Sequence, residues 1–233
     1  MPKRSYEQYC PLALTLDLVG ERWTLLIVRD LLGGPKRYTD LHRGLPGLAT
    51  DLLTERLRRL EDAHVLRRRE LAPPAAATVY ELTERGRELE PAVLSLARFG
   101  YGLLGEAPDS PPPPDLVLLA LRGLFDPAGA PAHAETWVLE GGGGQVAVTV
   151  SDEGVELNLD PDAARPRPCA RFTADVPTLY DLIIGRLEPD VAIAEGRVQI
   201  TGDEHALRRM RATFPPAPGV DAPISAAAGP APR

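Results

Sequence analysis

The chain has 233 residues, 44% of them hydrophobic and 25% charged, a composition that suits a water-soluble globular protein of one large or two ordinary domains. No run approaches the ~18 consecutive apolar residues of a membrane span, and the opening MPKRSYEQYCPLAL lacks the apolar stretch and cleavage site of a secretory signal. The net charge of −7 is uneven: residues 1–105 hold 16 Lys+Arg against 14 Asp+Glu, whereas 106–233 hold 10 against 19, so the first half alone suits a polyanionic partner. Two cysteines, Cys10 and Cys169, are too few for a disulfide framework and point to a reducing cytoplasm.

In chain order, PLALTLDLVG predicts a helix that starts at Pro11 and stops at Gly20. RWTLLIVRDLLGG is apolar nearly all round and predicts a buried helix closed by Gly33 and Gly34, with Trp23 in the core. YTDLHRGL predicts a short helix capped by Thr39 and ended by Pro46-Gly47. A further helix follows over 49–64, then two strands, VLRRREL and TVYELT, around the turn APPAAA. TERGRELEPAVLSLARFGYGLL predicts one long amphipathic helix. This order is that of a winged helix-turn-helix.

At ~100° per residue, Leu53, Leu57 and Leu60 form a narrow core stripe with Ala49 and His64 beside it. The opposite arc carries Asp51, Thr54, Glu55, Arg58 and Asp62, with Thr50 and Arg59 nearby. A solvated surface explains such a face on an isolated helix. Here a short helix and a tight turn precede it and an arginine run follows, which favours a recognition helix presented to the major groove of double-stranded DNA. The expected DNA contacts are Tyr38, Thr39, Thr50, Asp51, Thr54, Glu55, Arg56, Arg58 and Arg59, with Arg67, Arg68 and Arg69 on the wing against phosphates. The carboxylates of Asp51 and Glu55 repel phosphate, so their place is at a cytosine amine or behind a water.

The spaced pieces Cys10-Pro11, Gly20 through Arg29, Tyr38 with Leu41, Leu45-Pro46-Gly47, Leu53 through Glu61, Pro73-Pro74 and Tyr80/Leu82-Thr83/Gly86-Arg87 resemble the HxlR family of winged-helix transcription regulators. The resemblance covers about 8–104. It implies a homodimer assembled through the terminal helices, with one recognition helix per half-site. Asp51 departs from the basic residue that many relatives carry, which bears on the target sequence. Cys10 stands where some members of the family hold an oxidant- or electrophile-sensing thiol; a structural thiol is the competing reading.

The second half opens with DLVLLALRGLFDP, a predicted helix ended by Pro127. Strands are predicted over 135–140, 145–151 and 154–159, with glycines 141–144 as a hairpin turn rather than a phosphate cradle, because no helix and no Lys-Ser/Thr follows them. A strand over CARFTAD, a helix over VPTLYDLIIGRL, a strand over RVQITG and a helix over DEHALRRMRATF capped by Asp203 complete it. The hairpin strands, FTADVPTLYDLIIGRLEPDVAIAEGRVQITGD and the closing helix resemble the sterol-carrier-protein-like domain, which implies an apolar cavity for a lipophilic molecule. The expected lining is Trp137, Leu139, Phe172, Leu179, Ile183, Met210 and Phe214, all of which an ordinary core would also use.

The fold class expected is α+β, with a winged helix-turn-helix DNA-binding and dimerisation domain over 1–104 and a Pro-rich linker over 105–114. A sterol-carrier-protein-like α/β sheet domain follows over 115–214 and a disordered tail over 215–233. The four histidines have no metal-ligand spacing with either cysteine, and no nucleophile elbow, phosphate loop or catalytic carboxylate pair stands out, so neither enzyme, metal nor cofactor is expected. The reading is a cytoplasmic, homodimeric, sequence-specific DNA-binding repressor, off the membrane and controlled by a lipophilic effector. Two rivals are a thiol sensor acting through Cys10, and a lipid carrier whose first domain only dimerises.

Overall fold

A computed structural model describes residues 5–72, 76–104 and 114–220. The turn at Pro73-Pro74, the proline run before Pro114 and the tail beyond Val220 lie outside the described residues. The chain forms two compact units, Met1–Val93 and Leu94–Arg233.

In the first unit, α1 (Pro11–Val19) starts on a proline, whose missing N–H is one of the donors that no helix start can pair, and ends at Gly20. Helix α2 (Thr24–Leu32) follows a left-handed Trp23 at φ 79°. Trp23 is therefore not sealed in the core. It is half-buried, with the Arg22 guanidinium 5.3 Å above its ring. A two-residue strand, β1 (Lys36–Arg37), leads into α3 (Tyr38–Gly44), which is capped by Arg37, two residues before the expected Thr39 cap. Helix α4 (Thr50–Asp62) is closed by His64 in the left-handed region at φ 57°, and Val65 N–H donates back to Leu60 C=O. His64 thus lies beyond the helix and is exposed rather than flanking the core stripe. Leu53, Leu57 and Leu60 of that stripe are buried.

The wing consists of β2 (Leu66–Glu70) and β3 (Thr78–Leu82), and β3 is the centre of a three-stranded antiparallel sheet in the order β1-β3-β2. The single helix expected over 83–104 is interrupted. It divides into α5 (Glu84–Arg87) and α6 (Glu90–Gly100), followed by a 3₁₀ turn over Tyr101–Leu103. Pro91, which has no N–H to donate back to the preceding turn, supplies the reason.

In the second unit, α7 (Pro114–Leu124) precedes a mixed sheet of β4 (Glu135–Gly141), β5 (Gly144–Ser151), β6 (Gly154–Asn158), β7 (Ala170–Thr173) and β8 (Gln199–Gly202). The strand order is β6-β5-β4-β7-β8. Only the β4–β7 pair is parallel, with Trp137 opposite Ala170. Helices α8 (Val176–Ile184), α9 (Pro189–Ala194) and α10 (Ala206–Thr213) complete it. Asp175 caps α8 by accepting from Thr178 N–H at 2.7 Å. Asp203 does not cap α10, which begins later. Its carboxylate instead accepts from His205 N–H and from Arg209, which also holds Glu135.

The core of this unit joins Trp137, Phe172, Ile183, Met210 and Phe214 to α7 and α8, with Trp137 edge-on to Phe214 at 6.5 Å. Tyr101 is buried in the same core, which is why the division between the units falls ahead of the proline run. The first residues of the stretch expected as a tail pack on this unit: Ala217 is buried and its N–H donates to Ile184 C=O at 2.8 Å.

Candidate nucleic-acid interface and apolar cavity

The polar face of α4 is open to solvent where the wheel places it: Thr50, Asp51, Thr54, Glu55 and Arg58 are all exposed. Arg58 has no hydrogen-bond or ion-pair partner among the described residues. Its five N–H donors therefore remain available to a guanine edge or a phosphate. Tyr38 plays a different part from Arg58. Its hydroxyl donates to Thr50 C=O at 2.9 Å and lies 3.3 Å from Thr54 Oγ1, so it fixes α3 against the first turn of α4. Its ring stacks on His42, and Thr39 beside it is exposed.

Two of the expected contacts turn inward. Arg56 is only 9% exposed and its guanidinium binds Glu21 at 3.2 Å and Glu55 at 3.1 Å. Arg59 donates to Asp17 C=O at 2.6 Å and reaches Glu21 at 4.0 Å. Both arginines thus tie the recognition helix to the end of α1. A helical wheel assigns an angle, and the acidic partner that pulls Arg56 inward lies 35 positions away in the chain. Replacing Glu21 with Gln is expected to cost about 1–2 kcal/mol, read as a lower melting temperature, because it weakens the pairing of a cation that has little water. The cost is kept down by the exposure of Glu21 itself.

On the wing, Arg67 and Arg69 point to one side of β2 and donate through Nε to the two oxygens of Glu81, each at 2.8 Å. These bonds, the one from Arg69 first, hold the Glu81 carboxyl below its usual range against the opposing effect of burial. The clamp is therefore intact at neutral pH, and its stabilisation is lost only as acid brings the medium down through that lowered pKa. Arg68 points the other way, paired with Glu61 at 3.2 Å and stacked over Tyr80 at 5.5 Å. All three guanidiniums keep exposed surface. Glu81→Gln should free two of them: non-specific DNA affinity rises and the salt dependence steepens by about one phosphate contact. Titration at several salt concentrations measures this. The fold should lose about 1–2 kcal/mol, because Glu81 is itself buried although both arginines keep exposed surface.

The two thiols are free. Cys10 is half-buried at the start of α1, whereas Cys169 lies beside Glu135 in the second unit, where burial and that carboxylate raise its pKa. Both effects lower the thiolate fraction of Cys169 and with it the reactivity of that thiol.

The second unit contains an apolar pocket of about 170 Å³, open to solvent along the hairpin and Leu159. Val117 and Leu118 of α7, Leu139 and Val146 of the sheet, and Val176 and Leu179 of α8 form its walls, with glycines 141, 142 and 144 and Gln145 at the hairpin and Leu159 alongside. Of the seven residues expected to line a cavity, Leu139 and Leu179 do so. Trp137, Phe172, Ile183, Met210 and Phe214 pack among themselves in the closed core. Apolar composition could not separate these two fates. The hairpin glycines are the missed signal: a Cβ at Gly141 would sit 2.4 Å from Ala174 C=O, so only glycine lets the turn close down beside α8.

Residues 18–107 match the HxlR-like helix-turn-helix family, and residues 133–215 match the SCP-2 sterol transfer family. An uncharacterized HTH-type transcriptional regulator of Synechocystis, sll1512, is 38% identical over 92 residues, which is 39% of this chain and 67% of that protein. The HTH-type transcriptional regulator YodB of Bacillus subtilis is 34% identical over 82 residues, 35% of this chain and 73% of its own. The redox regulator HypR in its oxidized form is 32% identical across 42% of this chain and 100% of that chain, with a TM-score of 0.38. No helix among the described residues is long and apolar enough to cross a membrane. The chain belongs to the HxlR-like helix-turn-helix family of transcriptional regulators and carries an SCP-2 sterol-transfer-type domain in its second half.

Proposed function

We propose that the protein is a homodimeric repressor that reads a specific DNA sequence and releases or grips it according to an apolar small molecule held in the second unit. The observation that carries the DNA part is the exposed face of α4, where Thr50, Asp51, Thr54, Glu55 and Arg58, which has no partner among the described residues, are presented on a helix locked in place by Tyr38, Arg56 and Arg59. Thr54 and Arg58, one turn apart on that face, reach base edges, while the exposed ends of Arg67, Arg68 and Arg69 lie against phosphates.

The dimer part draws support from apolar surface. Tyr9, Leu12 and Leu16 at α1 are exposed, as are Leu96, Phe99 and Leu103 at α6 and its following turn. Large apolar side chains grouped on a helix face favour a protein partner. A second copy would set two recognition helices about 34 Å apart, one helical turn of duplex. The effector part draws support from the apolar cavity. A ligand shifts DNA affinity only by its difference in affinity for the two states, commonly about 1–3 kcal/mol.

Gel-shift titration against DNA from upstream of the protein's own coding region tests the reading, run at several salt concentrations with and without apolar compounds. Sedimentation of the free protein tests the dimer. Binding that is indifferent to sequence, or a monomer that binds as tightly as any dimer, contradicts it.

A further inference from the structure

Resting on the DNA-binding reading above, we propose that Glu55 reads a cytosine in each half-site and that the buried Arg56 positions it to do so. The starting observation is a chain of charges that crosses the helix from inside to outside. Arg56 donates through Nη2 to Glu21 at 3.2 Å and through Nη1 to Glu55 Oε1 at 3.1 Å. Arg56 is almost fully enclosed, whereas the Glu55 side chain is 59% exposed. One carboxylate oxygen of Glu55 is thus anchored from within the fold. The other, Oε2, has no partner among the described residues.

Arg58, three positions further along the same exposed face, is the neighbour with which Glu55 would ordinarily pair on a helix surface. Among the described residues the two form no ion pair, and Glu55 takes its countercharge from Arg56 instead. That guanidinium offsets, from behind, the repulsion a carboxylate meets on approaching a polyanion, and it leaves Arg58 free. Asp51, the other acid of this face, has a simpler role. It lies in the first turn of α4, where the Ala49 cap offers no side-chain acceptor, so its charge serves the unpaired N–H groups of the helix start. No helix end accounts for Glu55. The choice of base follows from the groove edges. An ionised carboxylate only accepts hydrogen bonds, and the donors in the major groove are cytosine N4 and adenine N6. Adenine carries the N7 acceptor beside its donor, which repels the carboxylate, whereas cytosine has no acceptor of its own on that edge.

The test is selection of binding sites from a random duplex library by the full chain, followed by anisotropy titration of the selected duplex and its single-base variants. The unaltered protein is expected to fix a cytosine in each half-site, with replacement of that base pair lowering affinity roughly 5- to 150-fold. Glu55→Gln should move the preference at that one position from cytosine to adenine, whose N6 and N7 a carboxamide contacts together. Glu55→Ala should abolish it, and both variants should leave the other positions unaltered. Arg56→Met should lower the cytosine preference several-fold with the other positions retained, whereas loss of a purely structural arginine weakens all positions alike. Should Arg56→Met fail to fold, Glu21→Gln loosens the same guanidinium through a partly exposed residue. A selected site that keeps every base in Glu55→Gln, or that changes at a position other than a cytosine, overturns the assignment while leaving the DNA reading standing. Full cytosine preference in whichever of the Arg56 and Glu21 variants folds overturns the positioning role of Arg56. A library from which the unaltered protein selects no sequence overturns the DNA reading together with this inference.

Discussion

Replacing Arg58 with Ala is expected to lower affinity for the specific duplex by about 1–3 kcal/mol, roughly 5- to 150-fold, with no loss of fold. Arg58 is exposed and has no internal partner among the described residues, so its removal leaves no buried charge and opens no cavity. Alanine also has the higher helix propensity. The loss therefore reports on DNA alone. Its dependence on sequence separates two roles. If Arg58 reads a guanine, discrimination at one base pair relaxes while other sequences bind as before. If it neutralises a phosphate, all duplexes weaken together and the salt slope drops by about one. Fluorescence anisotropy with the specific duplex and single-base variants measures both. Unchanged affinity for every duplex removes Arg58 from the interface.

Replacing Gly86 with Ala should be the most damaging small change in the first unit, at about 3 kcal/mol or more. A Cβ at Gly86 would stand 2.0 Å from Val65 C=O, a contact with main chain that no side-chain rotation relieves. That same carbonyl accepts from Thr83 N–H at 3.0 Å, and Thr83 Oγ1 accepts from Gly86 N–H at 3.1 Å. The three residues fasten the last residue before β2 to the first residue after β3, and so close the base of the wing. Pushing Val65 outward breaks this join. The gain of ~0.4–1 kcal/mol from a stiffer unfolded chain is too small to compensate. Melting of this unit should fall by on the order of 10–20 °C, with DNA binding lost alongside. Gly100→Ala is the control: its added Cβ meets nothing within 4 Å, and the change should be neutral or slightly stabilising.

The helices of the first unit were legible from punctuation, since Pro11, Gly20, Gly33 and Pro46-Gly47 fall at or next to element ends. The outward face of α4 was legible from its period. What escaped were effects that depend on distant partners. Arg56 and Arg59 have the same local context as Arg58, and only Glu21 and the Asp17 carbonyl separate their fates. A two-residue strand such as β1 has no period to detect and exists because β3 pairs with it. In the second unit, alternation located the hairpin strands. It could not tell Leu139 on a cavity wall from Trp137 two residues earlier in sealed core, since both face the same side of β4.

The chain has only two tryptophans, one per unit. Trp137 is dry, at 0% exposure, whereas Trp23 is half-buried beneath the Arg22 guanidinium. Their emission should differ in colour, bluer from the first and redder from the second. Intrinsic fluorescence thus offers a built-in pair of optical reporters. A single denaturant series can follow the recognition half and the cavity half separately, with a Trp→Phe variant of each assigning the signals.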